Sequence, residues 1–529
     1  MVMNLRKQFE SMPSSPAGPA GEPTGIGPGA LARWAVRLVA GALALTLVAC
    51  GGSGVGSNGT GETKQGSGVG TVTGFGSVII DGVAYEDSDA EVLVEGSDGS
   101  TSLTETKLGQ RVEVTYEPTG TGRDLAKVIR VDASLIGPVG AVDASAGSLT
   151  VLGQTVQVNA DAALGPVTVF DKPSFDATVG MQLGDVKVDD WVEVHAIRKT
   201  VGGLVQLQAT RVEVLAPTPK PTQLRVTGTL AGLNANGFRL GGLSVRLGSA
   251  TVLQPAGSAL ADGQWVLVFA DAASFVPATM QLDAARIRVG ERSSPAVVAD
   301  DAAVSGYVNE LGSLSGGGQR FRVDGVWVVT DSATVFDPVG STLALARYVR
   351  VEGVYGADGA LHAKEVHVHS EQDGAVVSGT ILMLNDDHDT FRVRDTWVVV
   401  DDPNKLHFDE CNTGSAKVTD LANNLYVSVV GKMVAGALEA SSITCKPEST
   451  TSVVEREGTI VSVSQASRSL TMSLNNAQFV QVSWTDTTYF RDLRNRDLVV
   501  GLRIDVEGKL ASGSGGAPAL LTATKIKRD

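Results

Sequence analysis

The side chains able to do chemistry are few and poorly grouped. Six histidines and three cysteines serve a chain of 529 residues. His367 and His369 stand two apart, so on a strand they share a face, which is the spacing a metal needs from two ligands on one strand. No third ligand accompanies them. Val366 and Val368 take the inward slots, so these histidines and His362 read as surface residues. Asn385-Asp386-Asp387-His388-Asp389 is acidic enough to suggest calcium. It lacks the spaced Asp/Asn, Gly and closing Glu of a calcium loop, and reads as a hairpin turn. No Gly-x-Ser-x-Gly elbow is present, and no histidine has a recognisable catalytic setting. Carboxylates are plentiful in a chain of net charge −15, so a glycosidase-type pair is neither located nor excluded. Nothing calls for a metal or a cofactor, and an enzyme is not expected.

Aromatic residues carry the stronger hint. Trp191 and Trp265 each precede a Val-x-Val pair, as do Arg111, Tyr348, Tyr426 and Arg503 before theirs. Trp327, Trp397 and Trp484 form a second set. All five tryptophans read as one residue out of phase with inward valines, hence facing outward or toward a neighbouring unit. A row of such rings could stack on sugars. The alternative is that they cap the barrel end or pack between units.

These residues must be positioned by strands. A Gly-x-[Val/Leu/Ile] anchor recurs at Gly70, Gly140, Gly228, Gly306, Gly379 and Gly458. A period-two pair follows each: Val112/Val114, Val192/Val194, Val266/Val268, Val349/Val351, Val427/Val429 and Ile504/Val506. Ala-x-x-[Val/Ile] closes each: Ala126/Ile129, Ala209/Val212, Ala284/Ile287, Ala363/Val366, Ala440/Ile443 and Ala523/Ile526. Alternation puts apolar side chains on one face, and Val and Ile suit a half-buried strand. No later segment keeps a helical apolar period. The expected fold is therefore all-β, a tandem array of six small OB-like or Greek-key β-barrels. Units of this size can each bury a modest core, so separate beads are expected rather than a continuous solenoid. Their boundaries read as 68–134, 135–216, 223–290, 302–370, 374–446 and 456–529. The fifth is the most divergent, through Asp401–Lys417.

Upstream, Arg33 and Arg37 precede an apolar run, Leu38 to Ala49, too short to span a bilayer but suited to a signal-peptide core. Leu47-Val48-Ala49-Cys50 resembles the lipobox of bacterial lipoproteins. The resemblance implies cleavage before Cys50 and its lipidation, making residues 1–49 a signal peptide with a long N-terminal extension. Residues 50–67 then form the lipidated Cys and a Gly/Ser tether. Gly51 follows the cysteine where, by resemblance to enterobacterial lipoproteins, an Asp would favour inner-membrane retention. Lipid anchorage in the outer membrane is expected, with the face open. With Cys50 taken by lipid, Cys411 and Cys445 remain, and an oxidising compartment should join them. Cys445 occupies the slot of Val131, Val214, Val289 and Val368, and so should point into its barrel.

Thr334-Val335-Phe336, Val351-Glu352-Gly353 and Ala363-Lys364-Glu365-Val366 give the repeat its clearest form; Thr168-Val169-Phe170 and Thr488-Tyr489-Phe490 repeat its middle part. Val92-Leu93-Val94 and Thr251-Val252-Leu253 depart from it in the first and third units. The pattern resembles tandem copies of the domain-of-unknown-function family numbered 5666, found in lipoproteins of Gram-negative bacteria. The resemblance implies fold and location and no activity. The expected role is an outer-membrane-anchored envelope structural or interaction module, or else a binding protein for envelope or extracellular polysaccharide. Expected partners are the membrane, through the lipid, and a polysaccharide or envelope protein. Acidity disfavours nucleic acid.

Overall fold

The computed structural model describes residues 65–528 except 121–122, 174, 291–299, 315–316, 371–373, 404–405, 410–416, 448–452, 475–477 and 512–518. The signal, Cys50, most of the tether and Cys411 lie outside the described residues. The described chain is all-β, built from small barrels, as the alternating valines require.

The second unit shows the design. Its first strand, Leu135–Asp143, pairs antiparallel with Ser148–Val151, which hairpins to Gln154–Gln157. Gln154–Gln157 runs parallel to the last strand, Leu204–Val214. That strand lies antiparallel to Trp191–Val201, which returns to the first strand and closes the ring. A short strand, Val169–Asp171, extends alongside the last one. This is the order of an OB-like barrel. The same pairings recur at 66–131, 223–289, 301–368, 375–445 and 453–528.

Each repeated residue has a physical task. The period-two pairs and the closing Ile or Val are almost fully buried in every unit. Removing such a side chain, as in Ile287→Ala, would cost about 2–5 kcal/mol. The Thr of the middle motif ties two strands: Thr168, Thr334 and Thr488 donate their hydroxyls to the carbonyls of Ala209, Ala363 and Ala523, at 2.7, 2.9 and 2.7 Å. Val-x-Val-x-Gly marks a bulge. Pairing shifts at Glu352/Gly353, and a Cβ on Gly353 would lie 2.2 Å from the His362 carbonyl oxygen. Such bulges bend strands sharply enough to close a small ring.

The units are not beads. The described residues form one compact unit, and barrels share sheets. Ser67–Val69 pairs parallel with Ala302–Val304, and Gly74–Phe75 pairs parallel with Val376–Val377. Leu135–Ile136 pairs antiparallel with Arg225–Val226. The first strand of each barrel explains this. Before its bend it pairs on one edge only within its own ring, leaving the other edge open to a neighbour. Cores merge too: one apolar cluster spans the second and third units, and another joins the first and fifth. Tyr426 of the fifth unit inserts into the core of the last.

Candidate functional site

Between the barrels lie the outward positions of the closing strands, and these are charged. Alternation sends them away from their own core, but neighbouring barrels then cover them. Arg111 is 5% exposed and pairs with Asp324 at 3.0 Å, tying the first unit to the fourth. Tyr348 donates to Asp81 across the same seam at 2.9 Å. Arg288 reaches Asp132 at 2.5 Å, Arg286 pairs with Glu95, and Phe269 lies under the guanidinium groups of Arg225 and Arg286. His195 is fully buried at the seam of the first and second units. Its Nδ1 accepts from the Arg111 backbone N–H, so its ring proton sits on Nε2, facing Glu193 at 3.0 Å.

The densest group joins the first, second, fifth and last units. Lys107 and Arg211 hold Glu213, at 2.8 Å each. Arg394 pairs with Glu507 at 2.6 Å and Arg392 with Asp505 at 2.8 Å. Asp395 receives Lys525 and Lys527, while Arg491 reaches Glu105 at 2.7 Å. Burial by itself would raise the Glu213 carboxyl, but Arg211 and Lys107 overcome it and hold the group down to about 2. Glu507 is likewise held to about 2 against burial, by Arg394 and Lys525. Glu455 goes the other way: burial, then the neighbouring Asp505 charge, pushes it up to about 8 despite Lys527. Removing one partner from such a buried pair costs about 3–5 kcal/mol, because the other charge is left stranded.

A cavity of about 500 Å³ opens at this junction. Its wall carries Lys107, Lys172, Arg211, Arg392, Arg394 and Arg491 against Asp171, Glu213, Asp395 and Asp492. Phe75, Phe170, Phe175 and Trp397 supply apolar faces. The volume falls within the roughly 300–1,000 Å³ that small ligands occupy, and the site sits between domains, where such pockets form. Sequence patterning misses this group, because period two says "outside the barrel" without saying whether water or a neighbour lies there. The available signal is charge at successive outward positions of the last two strands of a unit, as in Arg111/Glu113, Arg286/Arg288, Asp505/Glu507 and Lys525/Lys527.

The tryptophans do not form a row. Trp191 and Trp265 are half-buried against the merged core of the second and third units, with Arg198 over the Trp265 ring. Trp327 is half-buried, with the Arg320 and Arg322 guanidinium groups 4.3 and 5.6 Å from its ring centre. Trp397 lines the cavity just described. Trp484 corrects the expected phase: it follows Val480 and Val482 by twos, is 4% exposed, and meets Phe490 edge-on inside the last barrel. Cys445 points into the core joining the first and fifth units, opposite Val427. His362 and His367 face Asp358 and Asp337, and His369 contacts the Ala162 carbonyl oxygen, so the three are not gathered on one ligand. Asn385 caps a turn by accepting from the N–H groups of Asp389 and Thr390.

A family model described as a domain of unknown function, DUF5666, matches residues 136–213, 305–367 and 457–527. These are the three units with Thr-x-Phe as their middle motif, at Thr168, Thr334 and Thr488. No curated protein matches the chain.

Proposed function

We propose, from the premise that the chain carries tandem copies of this domain family of unknown function, that it is a lipid-anchored outer-membrane protein serving as a structural or interaction module. The observation behind this reading is the burial of the units' charged outer faces against one another. Barrels joined by shared strands, merged cores and buried ion pairs resist relative movement, as a spacer or platform must. The scattered tryptophans also favour a structural use of those rings over a continuous sugar-stacking face. Anchorage rests on the lipobox-like Leu47-Val48-Ala49-Cys50 and the Gly/Ser tract after it. Removing the protein from its native cell should weaken the envelope, read as leakage of a periplasmic enzyme and sensitivity to detergent. Rescue should come from the wild-type chain and not from Cys50→Ala. An intact barrier in cells lacking the protein would contradict the proposal.

A second reading, binding of envelope or extracellular polysaccharide, is favoured by one feature: Trp397 in the wall of the junction cavity. A polysaccharide array probed with the lipid-free chain separates the two readings.

A further inference from the structure

The closing hairpin of the second unit reaches past its barrel. Its strands, Trp191–Val201 and Leu204–Val214, run to eleven residues each, against eight or nine in the fourth and fifth units. Gly202 and Gly203 take φ of 58° and 81°, the left-handed pair that a two-residue hairpin turn of this kind requires. The neck is held between two neighbours. Lys199 lies 4.5 Å from the centre of the Tyr307 ring of the fourth unit, and Arg198 lies 5.3 Å from that of Trp265 of the third. Asn309 donates to the Arg198 carbonyl at 3.1 Å. Beyond the neck, Val201 and Leu204 pair across the turn, and with Val205 they are 43, 70 and 48% exposed. A contiguous apolar tip on a folded protein marks a contact surface.

Size, charge and reach select the occupant. Three side chains present far less than the roughly 800 Å² per partner of a standard protein interface, whereas a bilayer sets no such minimum once another group holds the protein to it. The chain carries a net charge of −15, yet no carboxylate residue stands between Glu193 and Glu213, while Arg198 and Lys199 collar the tip. Apolar side chains ahead of a basic collar suit the headgroup boundary of an anionic bilayer. Gly66 opens the first strand sixteen residues after Cys50, a span of up to about 55 Å. Ser67 pairs with Ala302, whose strand passes the hairpin neck at Asn309, so at most about 50 Å separates Gly66 from the tip. We propose that Val201, Leu204 and Val205 enter the headgroup region of an anionic lipid bilayer, with Arg198 and Lys199 at its surface. The inference rests on lipid anchorage at Cys50 and adds to it: the acyl chains hold the protein, and the hairpin sets which face of the body meets the membrane. Three side chains are too few to hold the protein there alone.

The test is fluorescence quenching on the full lipidated chain reconstituted into vesicles. An environment-sensitive dye is placed at Leu204→Cys or, as a matched control, at Val500→Cys, a position 64% exposed in the last unit. That unit and the far end of the hairpin, at Glu213 and Val214, line the same cavity, about 30 Å of strand from the tip. Wild-type protein taken through the same labelling supplies the blank for native cysteines. In phosphatidylglycerol-containing vesicles bearing a nitroxide lipid, the dye at Leu204→Cys should be quenched at least threefold more than at Val500→Cys. The excess should fall at least twofold in neutral phosphatidylcholine vesicles, and also when Val201→Ser and Val205→Ser are added. Thermal melts check that each variant folds. Equal quenching at the two positions, on vesicles that carry the protein, would overturn the hairpin contact and leave anchorage standing. An unquenched dye whose emission shifts to the blue as protein density rises would assign the tip to a second copy and overturn the lipid contact. Excess quenching of the same size in neutral and anionic vesicles would overturn the part given to Arg198 and Lys199. Failure of the protein to float with vesicles would remove anchorage and the inference together.

Discussion

Replacing Glu455 by Gln should stabilise the protein in alkaline solution and flatten its dependence on pH. Glu455 is wholly buried between the fifth and last barrels, with Lys527 at 3.2 Å and Arg392 at 3.5 Å. Burial and the adjacent Asp505 charge lift its carboxyl from the ordinary 4.5 to about 8. The folded state therefore keeps a proton that the unfolded chain releases near pH 4.5. Between those two values the folded state binds more protons, so stability falls as pH rises. A tenfold difference in proton affinity between the two states is worth about 1.4 kcal/mol, which gives at most about 5 kcal/mol over the whole interval and about 3 kcal/mol between pH 5.5 and 8. Glutamine keeps a polar group of the same shape and cannot ionise, so the variant should escape this loss. Glu213 and Glu507 do not interfere. Their carboxyls are held low, so the stability they add is present above about pH 4.5 and is lost as pH falls toward 2. The assay is urea unfolding at pH 5.5, 6.5, 7.5 and 8, comparing wild type, Glu455→Gln and Glu507→Gln. Glu455→Gln should approach the wild type well below pH 4.5, and exceed it by about 1 kcal/mol at pH 5.5 and about 4 kcal/mol at pH 8. Glu507→Gln strands Arg394 and should be less stable throughout, by about 3–5 kcal/mol. A Glu455→Gln curve parallel to the wild type, or lying below it at pH 8, would refute the reasoning.

Three further expectations concern other parts of the chain. Cys50→Ala should release the protein from membranes into the soluble fraction; retention in detergent-free membranes would exclude lipid at Cys50 as the anchor. Cys411 and Cys445 should form a disulfide that closes a loop of about 33 residues and adds roughly 3–4 kcal/mol in the chain-entropy model. Alkylation and mass spectrometry of protein from native envelopes check it, and two free thiols would disprove it. Gly353→Ala should cost about 1–3 kcal/mol by forcing the bulge away from the His362 carbonyl, and an unchanged melt would show that the bulge tolerates a Cβ.

What the sequence reveals depends on which face of a strand is read. Inward residues are specified by alternation alone, so Val192/Val194, Ile504/Val506 and the closing Ile129 or Val366 sit where their period puts them. Cys445 follows the same rule. Outward residues carry less information. Arg111, Arg288, Glu455 and Lys527 have the composition of a wet surface and are buried between barrels, because complementary charges on another unit cover them. No local pattern in one unit announces a partner nearly 200 residues away, as for Glu95 and Arg286. The shared sheets are hidden for a similar reason. An edge left open by a bend in the first strand shows only once the ring is built. Trp484 departs from expectation through phase: counted from the Val480/Val482 pair on its own strand, it falls inward. Of the candidate ligand contacts, Trp397 is visible as an aromatic, but its place in a cavity depends on residues from other units.

The fused body is tested most directly by scanning calorimetry of the full chain at pH 6.5, with each tryptophan-bearing unit followed by hydrogen exchange at the same temperatures. Shared strands and merged cores predict one cooperative transition, in which the closing strands at 265–271, 348–355 and 503–511 lose protection together. Well-separated transitions, with one barrel exchanging fully while its neighbours stay protected, would contradict it and return the molecule to independent beads.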